Sequence, residues 1–515
     1  MGVEKRLYTI MTRPRYTLLF FFSIALIPRL LVWTIIPIDW NSDSYHHWQI
    51  SYLTLKIGLK QGRLWDLNGC EFYWGVVPHL VQAFILGALF TPSLLPYRLL
   101  NLMLGCVNSY LVYLIGRDNF YWEVGFYAGI LFALYPVAAV FDVVALQETL
   151  ALCLALLSIQ LFKSRPGLSG ILLALAAQSR TEFWLVSVFF VAGVVLIERL
   201  TMRVQPFVLG WLAVTSLFCA LFRNWTSNPF YPLYWSLYNV FGGWTQRGRG
   251  LPFHTLMLNW ISDKIQAWLA KATGQVLLGS MITLSGSFLH MLRRPWRRYH
   301  VYLFFLTVAV VFSPIFLTYY PSHGQSLLYM LRMSIPIAAF GSIPLALILY
   351  RLKMKLPTTW LRRLPLELTL LILAVNSFCY LVPSYSRFQE GTIIAFEVAD
   401  AAYKHYAGGT LVCDNPTMNY RFVTRWRLKA TSLLGNHYSP HYYGVSSPIR
   451  YAEWFKRNNI TLWLHTGSRS HPVWAVTSRD LPGLLMLKEE AHGVRVYEVD
   501  QELLDELLMS RGPRD

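Results

Sequence analysis

Residues 145–182, ALQETLALCLALLSIQLFKSRPGLSGILLALAAQSRTE, place two apolar runs on either side of a short basic loop. The first run, 145–162, approaches the roughly 20 residues that a transmembrane helix needs, and the second, 168–179, is marginal in length. The loop between them carries Lys163 and Arg165, and short cytoplasmic loops are enriched in such residues. The stretch therefore predicts two membrane helices that are joined on the cytoplasmic side.

The same pattern extends through most of the chain. Further apolar runs lie at 16–38, 97–116, 121–140, 181–198, 205–223, 272–292, 300–319, 327–350 and 364–383. Of the 515 residues, 55% are hydrophobic and 14% are charged, whereas soluble domains carry about 25% charged residues. This composition excludes a plain cytosolic enzyme, a disordered chain and a secreted disulfide scaffold. The N-terminal run, 16–38, is too long for a signal-peptide core and lacks a small-residue cleavage site, so we interpret it as a retained span.

The basic residues orient these spans. The run 75–95 is also apolar, but it contains His79 and two prolines. If this run does not cross the membrane, the N-terminal basic residues and all the later basic loops lie on the cytoplasmic side. We therefore predict about eleven transmembrane helices, a cytoplasmic N-terminus, and a helix at 75–95 that lies at or dips into the outer interface. Much of the net charge of +18 then comes from Lys and Arg residues of cytoplasmic loops, which set the orientation of the spans, and this charge does not indicate nucleic-acid binding.

The C-terminal part of the chain has a different composition. Residues 1–383 are predicted to form the all-α membrane domain, with 39–96 as a first outer loop that contains interfacial helices. Residues 384–515 are predicted to form a small extracytoplasmic α/β domain, a plausible size for a domain. We expect strands at 411–413, 461–465, 484–487 and 494–499 and a helix at 450–458. Cys70 and Cys413 both fall outside; a bridge between them is possible, but two unpaired thiols are favoured.

Acidic residues and histidines crowd the start of the first outer loop, in DWNSDSYHHW, residues 39–48. A carboxylate there can act as a general base, or bind a metal together with a histidine. We favour this functional interpretation for Asp43, because the helix that follows would fix it at the membrane boundary. For Asp39 we favour the alternative, in which the residue lies at the hydrated boundary of the membrane, beside the Trp and Tyr residues that are enriched there. Tyr45 and His46 are candidate substrate contacts.

A second acidic pair lies at the outer end of the run 145–162. Glu148 is within the apolar run, and an ionisable group inside a span indicates a functional site because it is costly there. The alternative is a carboxylate that reaches interfacial water. Asp142 is a candidate substrate contact or a helix N-terminal residue.

Two arginines are candidates for binding a phosphate. Arg180 either pairs with Glu182 or offers its planar fork to a phosphate. Arg332 is near the outer end of its span, where it needs an anionic partner. That partner is Asp43, Glu148 or a lipid phosphate.

Two further residues have weaker signals. Arg98 begins the run 97–116 and either faces the first outer loop or snorkels to the interface. His323 lies just outside its span, as a solvated loop histidine or a substrate contact. The sequence has no Gly-rich phosphate loop, no Walker sequence, no HExxH and no paired CxxC, so it offers no visible apparatus for nucleotide hydrolysis.

The order, spacing and sidedness of these motifs resemble the GT-C superfamily of integral-membrane glycosyltransferases. Four elements carry the resemblance: Asp43 in the long outer loop, Tyr97-Arg98-Leu99-Leu100, the stretch from Gln147-Glu148 to Thr181-Glu182, and Tyr329-Met330-Leu331-Arg332-Met333-Ser334-Ile335-Pro336. The group most similar uses polyprenyl-phosphate sugars and includes the protein O-mannosyltransferases and the lipid A aminoarabinose transferase. The chain differs from the protein O-mannosyltransferases because Asp43 is not followed by Glu in an Asp-Glu pair. It differs from the oligosaccharyltransferases because its tail lacks a Trp-Trp-Asp motif.

The resemblance implies a hexosyl- or mannosyltransferase-like enzyme of the plasma, inner or endoplasmic reticulum membrane. It would move a sugar from a polyprenyl-phosphate carrier to an extracytoplasmic lipid, glycan or protein, with inversion. Asp43 would be the base, Glu148 would orient a substrate or share that role, and Arg332, Arg180 and Arg98 would bind the lipid phosphate. A metal is not expected to be essential, although the histidines keep a divalent ion possible. The alternatives are a multi-pass transporter and a lipid-linked-glycan flippase or scaffold.

Overall fold

The computed structural model describes residues 14–58, 74–199, 201–234, 299–322, 331–355, 367, 385–386, 388–435, 439–440, 447–465 and 479–510. The predicted span 272–292, the predicted span 364–383 apart from residue 367, His323 and Cys70 lie outside these residues. The chain forms two compact units. Unit 1 comprises Met1–Pro37, Phe72–Pro78 and Arg98–Ser386, and unit 2 comprises Ile38–Glu71, His79–Tyr97 and Arg387–Asp515.

Helices predominate in the described part of the chain. In chain order they are α1 Pro14–Ile35, α2 Ser42–Lys56, α3 Val77–Ala88, α4 Leu95–Asn119, α5 Trp122–Ala133, α6 Pro136–Phe141, α7 Glu148–Leu161, α8 Pro166–Ala177, α9 Glu182–Glu198, α10 Val204–Thr226, α11 Tyr299–Ser322, α12 Ser334–Lys355, α13 Phe388–Tyr403, α14 Pro416–Thr424, α15 Pro448–Arg457 and α16 Gln501–Met509. A 3₁₀ turn, Leu331–Met333, precedes α12, and another, Ala430–Ser432, precedes the second strand. The strands are β1 Thr410–Val412, β2 Leu433–Leu434, β3 Ile460–His465, β4 Leu485–Ala491 and β5 Val494–Val499.

Four of the described helices are long and apolar enough to cross a membrane. They are Arg15–Ile35, Leu95–Asn119, Val204–Thr226 and Ser334–Lys355. Shorter apolar helices accompany them, and large apolar side chains such as Leu19, Leu209 and Leu217 are exposed on the surfaces of the four long helices. Lipid tolerates such a surface and water does not. The chain is therefore an integral membrane protein with a mostly helical membrane part, while the number of eleven spans stays a prediction.

Two helices begin at other residues than the sequence predicted: one at Pro136 and one at Glu148. The run 121–140 was expected to form one helix, but it divides into α5 and α6 with Pro136 at the first turn of the second. Proline lacks a backbone N–H and fits the first turn of a helix, so it starts a new helix there. The run 145–162 becomes helical only at Glu148. This places the Glu148 carboxylate at a helix N-terminus, where negative charge is stabilised.

Small residues let the helices of unit 1 approach closely. α8 packs against α7 and α10, and α9 packs against α11. A Cβ at Gly170 would overlap the carbonyl oxygen of Phe207, and one at Gly210 would overlap that of Gly167. Close backbone contact of this kind is the usual way in which membrane helices associate.

Unit 2 contains a mixed five-stranded sheet of order β2-β1-β3-β5-β4. β1 is parallel to β2 and β3, and β5 is antiparallel to β3 and β4. The core beside this sheet includes Tyr451, Phe455, Trp463 and Tyr497. The small C-terminal sheet is thus confirmed, with all four predicted strands within it. The two-residue strand β2 was not predicted, because two residues show no alternation.

Two helices of the tail, α13 and α14, belong to one packed group with α2, the helix whose first turn contains Asp43. α14 contacts both α2 and α13. Trp48 stacks on Tyr52 with ring centroids 5.1 Å apart and meets Tyr420 edge-on at 4.9 Å. Asn419 donates from Nδ2 to Gln49 Oε1 over 3.0 Å. Residues of the predicted first outer loop and of the predicted tail domain therefore share one core in unit 2.

Candidate active site

The candidate residues fall into two groups, one in each unit. In unit 1, Glu148 is the first residue of α7 and only 5% exposed. Its Oε1 receives a hydrogen bond from Arg180, whereas its buried Oε2 has no hydrogen-bond partner among the described residues. A buried carboxylate oxygen without a donor is costly, so this oxygen is suited to accept a hydrogen bond from a bound molecule.

Arg180 connects two carboxylates. Its Nη1 donates to Glu148 Oε1 over 2.6 Å. Its Nε and Nη2 donate to the two oxygens of Glu182 over 2.9 and 2.7 Å, a bidentate arrangement that fixes the plane of the guanidinium. The Nη2 group also contacts the sulfur of Met333 at 3.4 Å. The sequence left open a pair with Glu182 or a phosphate contact, and the structure shows the pair.

Arg332 brings a second cation to Glu148. It lies in the 3₁₀ turn before α12 and is 8% exposed. Its Nε is 3.4 Å from Glu148 Oε1. Of the three anionic partners considered for Arg332, Glu148 is the one this contact identifies. Two arginines and two glutamates thus meet in unit 1, in what we call the ionic cluster: Glu148, Arg180, Glu182 and Arg332.

Asp142 is held in a separate buried pair. Its Oδ2 accepts from Nε and Nη2 of Arg29 over 3.0 and 2.6 Å, and its Oδ1 accepts from the Thr149 hydroxyl over 2.7 Å. The Nη1 group of Arg29 donates to the carbonyls of Ala25 and Ala133. Arg29 is fully buried and Asp142 is 2% exposed. A substrate contact by Asp142 stays a prediction, and the observed contacts give it a structural role.

Arg98 is also anchored inside unit 1. It donates to the carbonyls of Val143 and Pro37 over 2.8 and 2.6 Å. Its guanidinium lies 4.1 Å from the centre of the Trp33 ring, a cation–π contact. Arg98 is 6% exposed, so these bonds join the end of α1 to the segment before α7. Its phosphate contact remains a prediction.

In unit 2, Asp43 lies in the first turn of α2. Asn41 caps this helix, and its side-chain oxygen accepts from the Asp43 backbone N–H over 2.9 Å. Asp39 Oδ1 in turn accepts from the Asn41 N–H over 3.0 Å. The cap determines the backbone position of Asp43, whose side chain is half-buried. The helix that was expected to fix Asp43 begins at Ser42.

The aromatic and imidazole neighbours of Asp43 have internal contacts. The Tyr45 hydroxyl donates to the Asp39 carbonyl over 2.9 Å, and the ring is 2% exposed. His47 Nδ1 and His79 Nε2 lie 3.0 Å apart, and both rings are buried. His46 is half-buried. No three His, Cys, Asp or Glu side chains are grouped as a metal site within the described ranges.

Two partners in these groups were not predicted. Arg29 stands inside the apolar run 16–38, and a lone arginine in a span was a signal for a buried acidic partner. His79 lies in the run 75–95, where it interrupts an otherwise apolar pattern. Its contact with His47 joins residues 32 positions apart, which spacing along the chain does not indicate.

Solved structures identify the fold, whereas no family model and no curated protein sequence matches the chain. ArnT from Cupriavidus metallidurans in the apo state is similar with a TM-score of 0.54 and 10% identity, over 94% of this chain and 98% of that chain. The same protein bound to undecaprenyl phosphate gives 0.52 and 13%, with the same coverage. The apo oligosaccharyltransferase of Archaeoglobus fulgidus gives 0.48 and 12%, over 87% of this chain and 69% of that chain.

ArnT, the neighbour with TM-scores above 0.5, is a GT-C glycosyltransferase that depends on a polyprenyl phosphate. The resemblance stated from the sequence motifs is therefore confirmed for the fold: the chain has the fold of the GT-C superfamily of integral-membrane glycosyltransferases.

Proposed function

We propose that this protein is a glycosyltransferase that moves one sugar from a polyprenyl monophosphate to an acceptor outside the cytoplasm. The observation that carries the proposal is the ionic cluster, in which the largely buried Arg180 and the buried Arg332 meet one carboxylate, whose second oxygen has no hydrogen-bond partner among the described residues. A lipid phosphate needs cationic partners, and a sugar hydroxyl needs a hydrogen-bond acceptor such as this second oxygen of the carboxylate. The GT-C fold supports the assignment, since the ArnT structure of this fold holds undecaprenyl phosphate.

In the proposed reaction, the Asp43 carboxylate takes the proton of the acceptor hydroxyl. The acceptor oxygen then forms a bond to the anomeric carbon while the bond from that carbon to the phosphate oxygen breaks. The electron pair leaves on the polyprenyl phosphate, whose added negative charge Arg332 and Arg180 stabilise. Direct attack from the opposite face inverts the anomeric centre.

Glu148 has two proposed roles. Its Oε1 holds Arg180 and Arg332 in place, and its Oε2 accepts a hydrogen bond from the sugar or the acceptor. Mannose or another hexose is the proposed sugar, and a lipid, glycan or protein is the proposed acceptor. The proposed topology has eleven spans, a cytoplasmic N-terminus and an extracytoplasmic tail.

The experiment uses the full-length protein in liposomes with radiolabelled polyprenyl-phosphate sugars and a lipid acceptor fraction. We expect Arg332→Ala to lower the transfer rate by about 100-fold, with Arg332→Lys in between, because lysine keeps the charge and loses the fork. The matched control is Arg223→Ala, at an exposed position of α10. Equal rates for Arg332→Ala and Arg223→Ala would reject the phosphate assignment.

A further inference from the structure

One face of α4 carries a row of polar and small residues. Arg98, Asn101, Gly105 and Asn108 are spaced by three, four and three residues. This spacing places them on one side of a helix. Both asparagines are buried, with exposures of 0% and 1%. Asparagine buried in an apolar helix is costly unless its amide finds a partner, so the row indicates a specific contact surface.

The row donates to the segment that leads into α7. Asn101 Nδ2 donates to the carbonyls of Val144 and Leu146 over 2.8 and 2.7 Å. Arg98 Nε donates to the carbonyl of Val143 over 2.8 Å. These three carbonyls belong to fully buried residues between α6 and α7. Since this segment is not helical, the side chains of α4 supply hydrogen bonds that a helix would otherwise provide.

The same row continues past Glu148. Asn108 Nδ2 donates to the carbonyl of Thr149 over 3.1 Å, and the Thr149 hydroxyl donates to Asp142. Gly105 leaves the space that the Asp142 carboxylate and Arg29 occupy, because a Cβ there would overlap both. The segment 142–149 is therefore fixed at both ends and in the middle by α4 and Arg29.

We propose that Asn101 is a positioning residue, which acts on sugar transfer by holding the backbone before Glu148 so that its carboxylate reaches Arg180 and Arg332. This inference rests on the proposed function of Glu148. It assigns a role in transfer to a residue that touches neither the donor nor the acceptor. A displacement of about 1 Å at a reacting group can cost about 100-fold in rate, so two lost backbone bonds suffice for a measurable effect.

The test is a double-mutant cycle in liposomes with a radiolabelled polyprenyl-phosphate sugar. Asn101→Ala, Glu148→Gln and the double variant are compared with wild type. We expect Asn101→Ala to lower kcat by about 10- to 100-fold with a smaller change in KM for the donor. In the Glu148→Gln background the same change should alter kcat by less than about 2-fold, because the carboxylate it positions is already absent.

The control is Ser109→Ala, which removes a buried hydroxyl of the same helix that bonds to the carbonyl of Gly105. Hydrogen exchange provides a second readout. Asn101→Ala should speed exchange of the backbone amides at 147–151, and Ser109→Ala should not. If Asn101→Ala fails to fold, Asn101→Leu replaces it, since leucine has a similar shape and cannot donate the two bonds to the carbonyls of Val144 and Leu146.

The outcomes separate the two proposals. An equal loss of kcat from Asn101→Ala in both backgrounds, or unchanged exchange at 147–151, overturns the positioning role while the transferase assignment stands. Wild-type transfer by Glu148→Gln removes Glu148 from the site and overturns the positioning role, whereas no transfer by the wild-type protein overturns the proposed function and the positioning role with it.

Discussion

Arg180 and Glu148 form a largely buried ion pair in which Nη1 donates to Oε1 over 2.6 Å. The two residues are 32 positions apart, at the start of α7 and just before α9. Both residues lie near the ends of the stretch 145–182, from which two consecutive helices were predicted, and the folded chain brings these ends together. The same carboxylate oxygen lies 3.4 Å from Arg332, so Glu148 is the residue through which both arginines are connected.

Glu148→Gln tests this connection. An amide keeps the size of the side chain and removes the charge that faces two arginines, so the arginines lose their shared anion. We expect kcat/KM for sugar transfer to fall by about 100-fold or more, measured with labelled donor in liposomes. Glu123→Gln, in the first turn of α5, is the control and should transfer normally. A normal rate for Glu148→Gln would remove Glu148 from the site.

The Arg29–Asp142 pair predicts a strong thermodynamic coupling. Replacing one partner leaves a buried charge without compensation, so Arg29→Met and Asp142→Leu should each lower the free energy of unfolding by about 3–5 kcal/mol. The double variant should be much less destabilised than the sum of the two, because neither charge remains. The measurement is unfolding of the purified protein in detergent. Additive losses would show that the two side chains do not interact.

Gly105 tests the fit around the same pair. Gly105→Ala should destabilise the protein by about 2 kcal/mol or more, since the new methyl group would overlap the Asp142 carboxylate. Gly341 in α12 is a matched control, because a Cβ there meets nothing within 4 Å among the described residues. Gly341→Ala should be neutral or stabilising by about 0.5–1 kcal/mol. The same melting temperature for the two variants would contradict the packing described for Gly105.

Asp400 in α13 predicts a pH-dependent contribution to stability. Partial burial acts to raise its pKa, but hydrogen bonds from Arg421 and Trp426, with the charge of Arg425, outweigh this effect and lower the pKa. The folded protein thus favours the carboxylate. The stabilisation is complete above the ordinary pKa of about 4 and is lost as the pH falls through the lowered value.

Asp400→Asn should therefore lower the melting temperature at pH 7, and the difference from wild type should shrink as the pH falls below about 4. Glu453→Gln is the comparison, because Glu453 pairs with Arg450 on the surface at 3.1 Å and such pairs contribute little. A difference for Asp400→Asn that is the same at neutral pH and well below the ordinary pKa would exclude the charge as its cause.

The sequence predicted the helices and most strands because their signals are local. Apolar runs located α9 and α10 within a few residues, and short apolar runs located β3 and β5. The break at Pro136 was readable from the proline itself, whereas the two-residue strand β2 had no pattern to read.

The site was predictable as a set of residue types, but not as a set of pairs. A charge in an apolar run identified Glu148 and Arg332 because burial makes such a charge costly. The partner of each charged residue depends on how the helices pack, and no local sequence pattern encodes this packing. Arg29 and Asp142 are 113 positions apart, and only the assembled helices bring them together.

The most direct test of the central claim is transfer of label by the reconstituted protein from a polyprenyl-phosphate sugar to an extracytoplasmic acceptor, with wild type and Asp43→Asn compared. The amide that replaces the carboxylate cannot take the acceptor proton, and Asn41 still caps α2 through the backbone N–H at this position. We predict label on the acceptor with wild type, with inverted anomeric configuration, and a loss of at least about 100-fold with a folded Asp43→Asn protein. Transfer at the wild-type rate by Asp43→Asn would contradict the assignment of the base, and no transfer from any polyprenyl-phosphate sugar by wild type would contradict the proposed function.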